Sequence, residues 1–187
     1  IGMRPAMIDE MVIQKSAWIL ESLSQLKMRQ ESLQADHEIT NGTMVPIEGC
    51  QYTVELRPRA KPHLEERRVI LPATDHPAET LRHFLVELAR TRLTERVAFY
   101  APRVGRSPGR ITIRQQKTRW GSCSARGNLN FNWKLIMAPP AALNYVVIHE
   151  LCHLHEFNHS PAFWARVRLH CPDYAVWKEF LARGWEH

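Results

Sequence analysis

His149-Glu150-Leu151-Cys152-His153, with His159 six residues later, gives the pattern H-E-x-x-H-x5-H. This run constrains the fold more than any other in the chain, because it places chemistry on a helix. Residues four apart on an α-helix are offset by only about 40° around the axis, so His149 and His153 project from one face and can share a metal ion. Glu150 is one step round, beside an open coordination position, where a water molecule needs a general base. The pattern is a zinc hydrolase signature.

The flanking residues predict that helix. Pro139 and Pro140 precede Ala141–Ile148, and proline suits a first helical turn, where its missing N–H costs nothing. Val146, Val147, Ile148, Leu151, Cys152 and Leu154 make the helix apolar on nearly all sides, as in a buried central helix whose polar stripe faces a metal. Asn158 suits a left-handed helix end, and Ser160-Pro161 reads as the N-cap and first residue of a new helix. His159 then sits in the turn between the two helices, as a third ligand that leaves the fourth position to water.

Neighbouring residues compete for these roles. His155 is two residues from His153, on the wrong side of the helix, and is expected at the surface. Glu156 is the rival third ligand, ranked below His159 because it emerges almost beneath His153 on the same helix. The spacing also matches H-E-x-x-H-x-x-G-x-x-H, but Glu156 occupies the glycine position and no Met-turn follows. Tyr145, one turn before His149, is expected on the metal side, either hydrogen-bonding there or packing.

Upstream, Ile111–Ser124 begins with β-branched alternation, and Asn128–Trp133 alternates polar and apolar residues. Two strands joined by the turn Ser124–Asn128 are expected, with an edge strand beside the metal able to accept an extended peptide. Trp120 reads as a core aromatic or as a wall of the cleft, and Arg119 as a residue that orients substrate or stabilises an oxyanion.

Lys117-Thr118-Arg119-Trp120-Gly121-Ser122-Cys123, Asn130–Pro139, Tyr145–Leu154 and Asn158–Trp164 together resemble the YgjP-like metal-dependent hydrolases, relatives of the SprT-like and WLM zinc proteases. The resemblance covers roughly residues 45–185. It implies an α+β, minigluzincin-like zincin: a small antiparallel sheet packed on a central H-E-x-x-H helix, with flanking helices. It also implies Zn2+ held by His149, His153 and His159, with Glu150 activating water. Members generally carry further strands ahead of a helix like that at residues 8–27, so the N-terminus is expected to be truncated or divergent.

With 187 residues, 44% of them hydrophobic, and six Trp plus six Phe, the chain can bury a sizeable core. The expected organisation is an N-terminal helical segment over 1–44 and the metallopeptidase domain over 45–187. An amphipathic helix is expected over Met7–Gln34, a hairpin of Gln51–Arg57 with Arg67–Leu71, and a helix from Asp75 to about Tyr100 burying Leu81, Phe84, Leu85, Leu88 and Leu93. Two short helices, Ser160–His170 and Asp173–Arg183, close the chain. No run approaches the ~20 apolar residues of a membrane span, and Met7–Leu26 is too charged for a secretory signal, so the cytoplasm is the expected compartment. Cys50, Cys123, Cys152 and Cys171 lack C-x-x-C spacing, which argues against disulfides and a cysteine metal site; Cys152 is expected to be a small buried hydrophobe.

A formal charge of +6 brings in other substrates. Arg103, Arg106, Arg110, Arg114, Lys117 and Arg119 concentrate positive charge ahead of the metal motif. Arg114, Lys117 and Arg119, if turned to the cleft, would bind phosphates. The resemblance carries the same alternative, because some YgjP-like proteins are linked to UTP pyrophosphohydrolysis. A nucleic-acid-binding module with a structural metal is the third reading, disfavoured by three histidines beside a glutamate. The expected function is a zinc metallopeptidase acting on peptide or protein.

Overall fold

The computed structural model describes residues 39–115 and 119–183. The expected helix over Met7–Gln34 and Lys117 lie outside the described residues. The described part is α+β, and no helix in it is long and apolar enough to cross a membrane.

Strands β1 (Met44–Ile47) and β2 (Cys50–Arg57) form a hairpin around Glu48 and Gly49. Both turn residues have positive φ, 51° and 74°, as a tight two-residue hairpin turn requires. β3 (His63–Glu65) and β4 (Arg68–Pro72) make the next hairpin, and the sheet order is β1-β2-β4-β3. The expected hairpin of residues 51–57 with 67–71 is therefore corrected: β2 and β4 pair in parallel, Val54 opposite Val69. The reason is a second reversal. The chain turns once after Arg57, where Ala60 N–H donates to the Arg57 carbonyl, and again at Glu66, so β4 regains the direction of β2.

Helix α1 (Pro77–Val104) begins on proline and ends at Gly105, which takes the left-handed cap conformation. Its buried residues Leu81, Leu85, Ala89, Leu93, Val97 and Ala101 recur every fourth position, one stripe along one face. Phe84 and Leu88, expected inside, flank that stripe half-buried.

The second sheet contains β5 (Ile111–Arg114), β6 (Gly121–Cys123) and β7 (Leu129–Asn132) in the order β5-β7-β6. The hairpin around Ser124–Asn128 is the expected one, closed by Gly127 N–H to the Ser124 carbonyl at 2.8 Å. The expected first strand is divided, however, and its two parts flank β7 on opposite sides, β5 in parallel. Each sheet is thus mixed, not purely antiparallel.

A 3₁₀ turn over Trp133–Met137 leads into α2 (Pro140–Cys152), the motif helix, which buries Leu143, Tyr145, Val146, Val147, Ile148 and Leu151. Its start is seated by the β1–β2 turn: Glu48 N–H donates to the Ile136 carbonyl at 2.7 Å and Gly49 N–H to that of Met137 at 3.2 Å. A Cβ on Gly49 would lie 3.0 Å from Pro139 Cα, so glycine serves there both for its positive φ and for close approach. Helices α3 (Pro161–His170) and α4 (Tyr174–Ala182) pack against α2.

Candidate metal centre

The last turn of α2 and the segment after it bring His149, His153 and His159 together, their ligand nitrogens all within 4.8 Å of one another. His149 Nε2 lies 3.2 Å from His153 Nε2 and 3.1 Å from His159 Nε2. Two nitrogens bound at 2.0–2.1 Å to one tetrahedral zinc would be about 3.3 Å apart, so the spacing fits an ion among the rings. α2 ends at Cys152, one residue before the second histidine, and His153 caps it. The chain then turns, and Ser160 Oγ accepts the Phe163 N–H to start α3 on Pro161. Asn158 does not take the expected left-handed backbone; its Oδ1 accepts the Ser160 N–H, and this local bond shapes the turn instead.

Each ring is held from outside. His153 Nδ1 lies 2.9 Å from the Glu156 carbonyl, which can only accept, so Nδ1 carries the proton and Nε2 presents its lone pair to the other rings. Glu156 therefore contributes through its backbone. Phe163 stacks on His153 at 4.5 Å between centroids and stands edge-on to His149 at 4.9 Å, while Trp164 stacks on His159 at 5.5 Å. Tyr145 stands edge-on to His149 at 5.7 Å. Burial, reinforced by His153, His159 and Lys178, pushes the His149 imidazole down to about 3. Burial also lowers His153. His149 is thus neutral at physiological pH, as a metal ligand must be. The three imidazoles fit zinc in chemistry as well as spacing.

Glu150 lines the same cleft as His149 and lies against Gly121 of β6. It is 6% exposed and takes no hydrogen bond to its carboxyl from any described residue. Burial pushes the carboxyl up to about 8, opposed by the positive charge of Arg119. Gly121 makes this position possible, since a Cβ there would lie 2.7 Å from Glu150 Oε1 and 2.8 Å from its Cγ.

A cleft of about 430 Å³ opens beside His149 and Glu150. Arg119, Trp120 and Gly121 line one part of it, and Tyr145, Lys178 and Leu181 another. Trp120 combines its two expected roles: half-buried in the cleft wall, it donates from Nε1 to the Leu181 carbonyl at 3.3 Å. Behind it, buried Asn132 donates from Nδ2 to the Arg119 carbonyl, and its N–H donates to that of Trp120. Arg114 is exposed at the end of β5 and does not line the cleft. His155 is half-buried, not at the surface as expected, because its Nε2 meets the Val104 carbonyl at the end of α1, 2.9 Å away. Cys152 is the expected buried residue, its thiol pushed up to about 12 by burial, and all four cysteines are free.

Phe163, Trp164, Gly121 and Lys178 are the participants that residue spacing did not disclose. The aromatic pair directly after the Ser160 cap was the available signal, since a helix started there turns its first residues back towards His159. Nothing in spacing pointed to Lys178, 19 positions after His159 in another helix.

The family model of the YgjP-like metallopeptidase domain matches residues 1–184. Two solved structures overlap the chain in part. The metallopeptidase zymogen abylysin of Pyrococcus abyssi is 20% identical over 51% of this chain and 96% of its own, with a TM-score of 0.46. The metallopeptidase zymogen jannalysin of Methanocaldococcus jannaschii is 19% identical over 50% of this chain and 90% of its own, with a TM-score of 0.42. No curated protein matches the chain.

Proposed function

Since the chain belongs to the YgjP-like metallopeptidase domain family, we propose that it is a zinc-dependent peptidase, with His149, His153 and His159 as ligands and Glu150 as general base. The observation that carries this reading is the convergence of three imidazole nitrogens beside one buried carboxyl. When bound, zinc supplies a Lewis acid that polarises a peptide carbonyl and acidifies water. Glu150 takes the proton of the attacking water at its carboxylate and passes it to the leaving amine nitrogen. Burial suits it to both transfers, because a carboxyl with raised proton affinity holds a proton near neutral pH where an exposed glutamate releases it.

The surroundings favour peptide over the alternatives. Among the described residues β6 is an edge strand, paired to β7 on one side, and it runs past Glu150, so its other side suits an extended main chain. Trp120 walls the cleft, Arg119 orients the substrate, and Tyr145 steadies the first imidazole. A nucleotide reading rests on Arg114, Lys117 and Arg119 acting together, and of the two that are described only Arg119 lines the cleft.

Glu150→Gln tests the mechanism: zinc measured by elemental analysis should remain stoichiometric while peptide cleavage falls by about a thousandfold or more. Full activity with bound zinc would end the general-base assignment. His159→Ala should lower both zinc content and activity, whereas Glu156→Ala keeps its backbone carbonyl and should keep its zinc. Stoichiometric zinc in His159→Ala would remove that ligand from the set.

A further inference from the structure

Lys178 is an exposed residue of α4 that lines the cleft, and it has no carboxylate partner among the described residues. Its Nζ lies instead 4.5 Å from the centre of the Trp164 ring. Trp164 also stacks with His159, at 5.5 Å and 23°, and with Tyr174, at 5.1 Å and 20°. The ammonium is thus steered by a cation–π contact to a ring that also braces the metal ligands. Arg119 adds a second cation to the cleft, and it too forms no ion pair with a described residue. Both repel any dication bound at the histidines, and among the described residues Glu150 is the single carboxylate lining the cleft to offset them.

An unreacted peptide bond is neutral and does not call for so much positive charge. A substrate that brings its own anion does. Building on the peptidase reading, we propose that this cleft recognises a carboxylate of the substrate near the scissile bond, held by Lys178 with Arg119 as the second cation. That carboxylate is an acidic side chain or the carboxyl terminus of the peptide. Lys178 acts as a compact point charge with three donors, already held over Trp164, so little side-chain freedom is lost when the anion arrives.

The test uses the zinc-loaded protein and three peptides of one length: a doubly blocked peptide with one glutamate, the same peptide with glutamine, and the glutamine peptide with a free carboxyl terminus. Cleavage is followed for the wild type, and equilibrium binding is measured by calorimetry on Glu150→Gln, so that affinity is read without turnover. One of the two carboxylate peptides should bind roughly tenfold more tightly than the blocked glutamine peptide, as for a charge-assisted hydrogen bond. Which of them does so identifies the source of the carboxylate. Lys178→Met, added to that protein, should bring the peptides to within about twofold of one another, and Arg119→Gln should reduce the preference in part. Lys178 and Arg119 are exposed, so both variants are expected to fold.

Equal binding of all three peptides would overturn the inference, and so would a preference that survives in both variants. UTP binding more tightly than any peptide, with the loss in Lys178→Met, would reassign the cations to phosphate and overturn it as well. Failure of the wild type to cleave any of the peptides counts against the peptidase reading, whereas the binding series decides on the carboxylate by itself.

Discussion

The carboxylates of the first sheet and the carboxylate of the motif helix are treated in opposite ways. On the first sheet Arg57 Nε lies 2.6 Å from Glu55 Oε1 and Arg57 Nη1 lies 2.8 Å from Glu65 Oε2, with Arg68 bridging the same two acids at 3.2 and 2.8 Å. The hydrogen bond from Arg57 holds both Glu55 and Glu65 below the usual carboxylate range. Glu150 is buried, takes no hydrogen bond from a described residue, and is pushed up to about 8. The acids of the sheet sit where partners and solvent make ionisation easy. The acid of the helix is held where ionisation is hard, as the proposed proton transfer requires.

The largest expected effect tests the sign of this contrast. The folded protein raises Glu150 above its unfolded value, so the contribution of this group to stability is fully present below about pH 4.5 and is lost as pH rises towards 8. In zinc-free protein the loss should be on the order of a few kcal/mol. Chemical denaturation of wild type and Glu150→Gln in chelator across that window should show the difference, and His149 cancels because both proteins carry it. A pH-independent difference would break the comparison. Glu55 and Glu65 follow the opposite sign: their contribution is present above the usual carboxylate range and is lost as pH falls.

Next in size is Gly121→Ala. The added methyl meets Glu150 Oε1 at 2.7 Å, its Cγ at 2.8 Å and its Cδ at 3.0 Å, and the expected cost is about 1–3 kcal/mol of stability. Cleavage should fall further than stability does, because the proposed general base is displaced; unchanged kcat would show that Glu150 has room to move. Phe163→Leu should cost about 1 kcal/mol and loosen the rings of His149 and His153, weakening zinc binding by about tenfold, as read by a competing chelator. The smallest effect is Glu55→Gln, for which cleavage is expected unchanged and the denaturation midpoint only slightly lowered. A marked loss of activity there would show that the two regions are coupled.

The sequence was legible where one local rule sufficed. Pro140 and Ser160-Pro161 start their helices because a missing N–H and a side-chain acceptor act within a single turn. His149 and His153 could be assigned to one face from helical geometry alone. It was not legible where two choices look alike from one strand. Alternation in Gln51–Arg57 and Arg67–Leu71 is the same for parallel and antiparallel pairing, and the deciding feature is a second turn at Glu66. Asn158 supports left-handed backbone and side-chain capping about equally, and the neighbouring Ser160 N–H selects the latter. His155 and Lys178 owe their positions to Val104 and Trp164, partners that no local periodicity connects to them.

The contact of Glu48 and Gly49 with Ile136, Met137 and Pro139 has a consequence for how the chain comes together. It closes a loop of nearly ninety residues, a separation whose entropy must be lost before the contact gives anything back. The motif helix therefore receives its final seat only once the first hairpin has formed. Folding of the described region is expected in one cooperative step, with the amides of Glu48 and Gly49 exchanging with deuterium as slowly as those in the middle of the motif helix.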